Sequence, residues 1–145
     1  MLSIRPFGPP DLPHVAGIVR ESLRENYPSS LYIDIHRWWR DGFLIAENGA
    51  SILGFLAAVV NAPSTARILM LAVREPWRRQ GVGSRLMDVF VRECGMRGLQ
   101  DVELEVRKSN VPAIQFYTRY GFQISNLIPR FYTDGEDGFK MRRHL

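Results

Sequence analysis

The sequence contains one cysteine, Cys94, which rules out an internal disulfide, and its three histidines (His14, His36 and His144) lack metal-ligand spacing, so no metal is expected. Long apolar runs are also missing. The longest, around "ILGFLAAVV", falls far short of the roughly 20 residues that a spanning helix requires. The opening stretch "MLSIRPFGPPDLP" has neither the basic nor the apolar region of a signal peptide, which points to a cytoplasmic protein. Repeats, low-complexity segments and long like-charge blocks are absent. The excess of 19 Lys and Arg over 15 Asp and Glu, a net charge of +4, is therefore a local property and not a polybasic tail. Such a balance suits an anionic ligand and leaves a basic nucleic-acid-binding module as a rival of a different class. Against that rival, Trp38, Trp39 and Trp77 are not set in an interleaved basic–aromatic array that could stack bases.

What is present is enough apolar material for a core: 46% hydrophobic residues in a chain of 145 fit one domain over residues 1–145. "LSIRPF" reads as a strand, and "GPPDLP" breaks it before a helix from about Leu12 to Leu23, with Asp11 as its cap. "ENYPSS" is a loop and Tyr32 to Trp39 a second helix. "FLIAEN" and "ASILGFLAAVVN" are strands joined by a hairpin turn at "NGA", and "ARILMLAVR" is a further strand. Val82, Leu86, Val89 and Phe90 recur at helical spacing. "VELEVR" alternates as a strand, "VPAIQFYTRYG" begins with a helix-starting Pro and stops at Gly121, and "FQISNLI" and "GFKMRR" close the chain as strands. The expected fold is mixed α/β (α+β), with one mixed central sheet of about six to seven strands flanked by about four helices.

"EPWRRQGVGSRLMDVF", residues 75–90, places two arginines and two glycines directly before a helix. It is not a P-loop, which needs Gly-Lys-Ser/Thr, nor a dinucleotide fingerprint, because Leu86 stands where the third Gly belongs. What remains is a basic turn at a helix start, where free N–H groups and the helix dipole receive an anion. Gly81 and Gly83 carry no side chain to hold anion oxygens off the backbone, and Arg78 and Arg79 add charged donors.

Arg78-Arg79-Gln80-Gly81-Val82-Gly83, set between a strand and a helix and followed by "EVRKSNVPAIQFYTRYGF", resembles the signature of the GNAT superfamily of N-acetyltransferases. The likeness covers nearly the whole chain. "LRENYP", "LEVRKSNVPAIQFY" and "FYTDGEDGFKM" are similar to segments of RimI-type and Ard-type protein N-terminal acetyltransferases, with Arg24 in place of a Pro and Phe131 in place of a Tyr. The resemblance implies transfer of an acetyl group from acetyl-coenzyme A to a peptide α-amino group by direct attack. Acetylation of a small-molecule amine or a lysine side chain is the alternative activity. By the same resemblance, the turn with Arg78, Arg79, Gln80, Gly81, Val82, Gly83 and Ser84 holds the cofactor's pyrophosphate. Leu71, Ala72 and Val73 meet its pantetheine and acetyl carbonyl through their main chain, and Asn110 its pantetheine arm, unless Asn110 serves only to start the next helix. Ribosome association and an auxiliary subunit are compatible with the resemblance, and neither is carried by a motif.

The acceptor chemistry narrows the choice of catalytic groups. An α-amino group near pKa 8 gives up about 1.4 kcal/mol to be neutral at pH 7, whereas a lysine near 10.4 gives up about 4.6 kcal/mol. A carboxylate acting through water is an adequate base for the former. In "DVELEVR", Val102, Leu104 and Val106 share one face and Glu103, Glu105 and Arg107 the other. A Glu on a polar strand face is ordinarily solvated. Glu105 nevertheless matches the RimI-type base, and Glu25 matches an acid that Ard-type enzymes set at the substrate terminus; either or both could serve. Tyr117 shares an apolar helical stripe with Ala113, Phe116 and Tyr120, consistent with packing, and it also matches the tyrosine that protonates the leaving thiolate and borders the cofactor. Tyr27 and Tyr132, with Glu25, are assigned to the substrate groove. "DGEDG" holds turn-forming Asp-Gly pairs without a calcium-loop ligand series, and Cys94 lies on an apolar helix with no activating neighbour.

Overall fold

A computed structural model describes residues 1–145, and all seven expected strands lie in one sheet, in the order β1-β2-β3-β4-β5-β7-β6. They are β1 (Leu2–Pro6), β2 (Phe43–Asn48), β3 (Ser51–Ala62), β4 (Thr65–Val73), β5 (Asp101–Arg107), β6 (Gln123–Ile128) and β7 (Gly138–His144). Neighbours pair antiparallel except β4 and β5, which are parallel because a helical crossover joins them. Gly49, at φ 61°, closes the expected β2–β3 hairpin, in which Asn48 faces Ser51.

Four helices cover the sheet: α1 (Leu12–Ile18), α2 (Ser29–Trp38), α3 (Val82–Met96) and α4 (Val111–Arg119). On α3, Val82, Leu86, Met87, Phe90 and Cys94 are buried at helical spacing, with Val89 only half-buried. They pack with Leu53, Leu56, Ala66, Ile68, Val102, Leu104 and Val106 from one sheet face and Tyr117 from α4. On the opposite face, Val15 and Ile18 of α1 and Tyr32 and Ile35 of α2 pack with Phe43, Ile45, Phe55, Ala57, Met70 and Ala72. No helix is long and apolar enough to cross a membrane.

Three local expectations need correction. The first helix is α-helical only to Ile18; Val19–Leu23 continue as a π-helical segment that ends at Arg24 in the left-handed conformation, φ 54°. A π-segment carries the same apolar spacing over so short a stretch and leaves no separate mark in the sequence. Asp11 does not cap α1. Its own backbone is helical, and its carboxylate is drawn back toward β1 by Arg5 Nη1 and Nη2 and by the Gly8 amide, all at 2.8 Å. The second helix starts at Ser29 and not at Tyr32, since Pro28 supplies an extended N-cap. It ends at Trp38, because Trp39 leaves helical geometry to bury its indole against Phe90.

The feature that positions everything else is a bulge in β4. Ala57 and Ala58 are consecutive on β3, yet they face Met70 and Ile68, so Leu69 is an extra residue. The bulge reverses the alternation: Ala66 and Ile68 face the α3 side, and Met70 and Ala72 the α1–α2 side. At the same place β4 parts from β5, whose last rung with it is Ile68–Leu104. Beyond that rung β4 stays on β3 up to Val73–Gly54, and β5 stays on β7 up to Arg107–Gly138. The sheet is thus split by a cleft between the end of β4 and the end of β5.

Gly54 permits the close approach of β3 to this end of β4. A Cβ there would meet the Ala72 carbonyl oxygen at 2.6 Å and Val73 Cα at 3.1 Å, so backbone would have to move. Gly54→Ala is expected to lower stability by roughly 1–3 kcal/mol. Gly95→Ala, on α3 with nothing within 4 Å of the added carbon, is expected to raise it by about 0.5–1 kcal/mol. Thermal denaturation of the two variants should show midpoints shifting in opposite directions.

Candidate active site

The cleft has two ends with different chemistry. At one end the chain leaves β4, makes a short 3₁₀ turn over Glu75–Trp77 and enters α3 through Arg79 at φ 62° and Gly81 at φ 85°. None of the backbone amides of residues 79–84 donates to a protein acceptor; the first to do so is Arg85, to the Gly81 carbonyl at 3.0 Å. Consecutive unpaired N–H groups at a helix N-terminus form an anion-binding concavity. Gly81 is needed for its backbone angle. Gly83 is not needed by the fold, since an added Cβ would meet the Phe116 ring at 3.5 Å and Val73 Cγ2 at 3.9 Å, both ordinary contacts.

The charged side chains of this turn divide their tasks in a way the sequence did not show. Arg78, expected as an anion donor, folds back: Nε donates to the Val73 carbonyl at 2.8 Å and Nη2 to Ser22 Oγ at 3.0 Å. Gln80 likewise turns to the Pro76 carbonyl at 2.9 Å. Arg79 stays exposed and without an acidic partner. Along the cleft, Leu71, Ala72 and Val73 lie on the stretch of β4 that no longer pairs with β5, so their main chain borders the opening. Asn110 caps α4, its Oδ1 accepting from the Ala113 amide at 3.3 Å, while its side-chain nitrogen has no protein acceptor.

The other end gathers tyrosines and acids. Tyr117 is buried, edge-on to Phe116 and Phe122, and burial pushes its phenol above the usual tyrosine value. Its hydroxyl has no protein partner, yet it is not sealed from the surface. Tyr132 adds to that upward shift and is itself pushed up to about 12 by burial, against the opposing charge of Arg107 and with smaller contributions from Glu105, Glu136 and Tyr27. Tyr27, slightly over one-third exposed, is raised by burial and then by the charge of Glu25. The structure therefore places Tyr117, Tyr132, Glu105, Tyr27 and Glu25 in one connected electrostatic neighbourhood.

Glu105 is not the solvated strand residue that alternation implies. Its side chain is 12% exposed, and Oε1 receives two hydrogen bonds from Arg67, from Nη2 at 2.7 Å and Nε at 2.9 Å. Glu103, on the same face, is 3% exposed and held by Asn61, Arg142 and Lys140. Arg67 and Ser22 were not singled out from sequence. The only signal for Arg67 is a charge set directly before the apolar run "ILMLAV" of the same strand.

The "DGEDG" segment is the anchor of the β6–β7 loop. Arg107 Nη1 reaches Asp134 at 2.8 Å and Glu136 at 2.9 Å, and its guanidinium lies 4.2 Å from the Tyr132 ring centre. No three His, Cys, Asp or Glu side chains converge as a metal-holding group. Cys94 is buried in the α3 core and its thiol is pushed up to about 12, so it supplies no thiolate near neutrality.

A sheet split beside an amide-lined turn, with acids and phenols at the far side of the split, defines a group-transfer site for an anionic carrier. The chain belongs to the acetyltransferase (GNAT) family, whose model matches residues 12–122. It is 32% identical to an uncharacterised N-acetyltransferase of Methanocaldococcus jannaschii, over 95% of this chain and 88% of that protein. It is 29% identical to an N-alpha-acetyltransferase of Sulfolobus acidocaldarius, over 93% and 88% of the respective chains. The solved structure of Ard1 from Thermoplasma volcanium superimposes with a TM-score of 0.96 at 40% identity, covering 99% of this chain and 97% of that one.

Hydrogen bonds hold both carboxylates of the loop below their usual values, Arg107 coming second in each case. For Asp134 the hydrogen bond from the Glu136 amide comes first and that from Arg107 second; for Glu136 the bond from Ser109 leads and Arg107 follows. Groups lowered on folding contribute stability that is fully present above their ordinary values of 3.8 and 4.5 and is lost as pH falls through the lower folded ones. The drop in melting midpoint caused by Arg107→Ala should therefore be largest near pH 7 and shrink steadily toward pH 3. Paired thermal melts across that range measure it.

Proposed function

We propose that this protein transfers the acetyl group of acetyl-coenzyme A to the α-amino group of protein or peptide N-termini, by direct attack in a ternary complex. The observation that carries the reading is the cleft itself, with unpaired amides of residues 79–84 at one end and the Glu105–Tyr132–Tyr27 group at the other. The N-alpha-acetyltransferase activity named for relatives along most of this chain supports the α-amino acceptor. Acetyl-coenzyme A supplies an activated acyl carbon and a thiolate leaving group. Residues 79–84 and the exposed Arg79 suit its pyrophosphate, with Arg78 bracing the turn through the Val73 carbonyl and Ser22. A thioester donor of this kind is made and used inside cells, so we assign the reaction to the cytoplasm.

The chain's own groups divide the remaining work. Tyr27 and Tyr132, on loops flanking the cleft, orient the incoming peptide backbone by their phenols, and Glu25 faces its charged terminus. Glu105, with Oε2 free of protein donors, takes a proton from the ammonium group directly or through water. The free main-chain edge at Leu71–Val73 offers an N–H to the carbonyl oxygen as negative charge develops on it. Tyr117 gives its proton to the departing thiolate, and its raised pKa keeps it in the acid form throughout the neutral range.

Incubation with acetyl-coenzyme A and a peptide panel, read by mass spectrometry, should place the added acetyl group on the terminal nitrogen. Acetylation confined to lysine side chains or small amines overturns the acceptor assignment. Glu105→Gln and Tyr117→Phe should each lower turnover by roughly 10²–10⁴-fold while calorimetry shows coenzyme A binding little changed. Unaltered turnover in both variants removes these two roles.

A further inference from the structure

We infer that Arg67 is the positioning residue for Glu105: it fixes the carboxylate by occupying one oxygen and so presents the other, Oε2, as the proton acceptor. This rests on the proposed role of Glu105 as base and concerns how this chain sets that base.

The pairing is a diagonal one, and its cause lies in the neighbouring charges. In register, Arg67 stands opposite Glu103, and Glu105 stands opposite Lys140. Glu103 is already saturated, by Asn61 Nδ2 at 2.7 Å, Arg142 Nη1 at 2.8 Å and Lys140 Nζ at 3.3 Å. With Lys140 drawn toward Glu103, Glu105 has no cation from β7. With Glu103 filled, Arg67 has no need to pair straight across. The guanidinium reaches instead to Glu105, and both of its contacts fall on Oε1. A two-pronged grip would have engaged both oxygens and lowered the basicity of each. Gripping one oxygen twice sets the rotation of the carboxylate and spares the other.

The location gives this contact its functional weight. Ile68–Leu104 is the last rung before β4 and β5 separate, so Arg67 stands just inside the point of the cleft and Glu105 just beyond it. Arg67 spans the fork and places the base at its vertex, with Tyr132 within reach of the carboxylate's charge. A carboxylate in this position has little freedom otherwise, since only 12% of its side chain is exposed.

Steady-state kinetics on the full chain with a peptide acceptor and acetyl-coenzyme A tests the inference. Arg67→Ala should lower kcat roughly 10- to 100-fold and leave KM for acetyl-coenzyme A within about twofold of the wild type, and Arg67→Lys should recover part of the loss. In a Glu105→Gln background, adding Arg67→Ala should cause no further fall. Arg67→Gln serves if Arg67→Ala does not fold, as judged by its melting curve. Wild-type kcat in the Arg67 variants, with Glu105→Gln slow, overturns this inference and leaves the base assignment standing. An equal fall in both backgrounds, or a raised KM for acetyl-coenzyme A, overturns it as well and identifies Arg67 as a brace of the sheet only. Wild-type turnover in Glu105→Gln instead removes the base itself.

Discussion

One extra residue in one strand governs the molecule. Leu69 has no partner on β3, and that single insertion reverses which side chains of β4 enter which core and turns the strand away from β5. A bulge ordinarily weakens a ladder, and here the β3 side loses only the rung at Leu69 and resumes from Met70 to Val73, whereas pairing with β5 stops at Ile68. The backbone groups so released are not solvent-exposed by accident. They lie between two apolar cores and next to a turn whose own amides are unpaired.

The two sides of the cleft are mechanically tied. Arg78 belongs to the turn before α3, yet its guanidinium joins the Val73 carbonyl at the tip of β4 to Ser22 in the π-helical segment. That segment leads directly into the loop carrying Glu25 and Tyr27. π-helical turns are frequent at functional sites because they re-aim the residues that follow them. Here the widened turn brings Ser22 within reach of Arg78 and ends with Arg24 in a left-handed conformation that redirects the chain. The turn before α3 and the segment leading to Glu25 and Tyr27 thus share one side chain, so the geometry of each depends on the other.

Most of the fold was legible from periodicity and punctuation. The seven strands, four helices, Gly49 hairpin and helix-starting turn all follow from local patterns that the tertiary structure reinforces. What escaped was whatever depends on counting rungs between strands. "ILMLAV" is apolar throughout, so a change of face at Leu69 leaves no trace in it. Alternation correctly grouped Glu103, Glu105 and Arg107 on one face, but it could not show that this face is crowded with Asn61, Arg67, Lys140 and Arg142, which bury both glutamates. Likewise Arg78 looked like an anion ligand from spacing alone. Its inward hydrogen bonds become visible only once Val73 and Ser22 are brought beside it.

The two ends of the cleft are built from materials that respond differently to substitution. At the turn before α3 the unpaired groups are main-chain amides, whose positions are set by backbone angles at Arg79 and Gly81 and by the close approach at Gly54, and the exposed Arg79 side chain adds a charge beside them. The opposite wall is held by side chains: Arg107 on Asp134 and Glu136, Phe131 edge-on to Tyr132 at 5.0 Å, and Gly138 leaving room for both rings. Exposed ion pairs of that kind are worth about 0–1 kcal/mol, so their exchange reshapes the wall at little cost to stability. Both departures from the RimI-type and Ard-type pattern, Arg24 and Phe131, fall on this adjustable side. Because one end of the cleft is lined by unpaired backbone amides and the other by exchangeable side chains, substitution reshapes the second end more readily than the first.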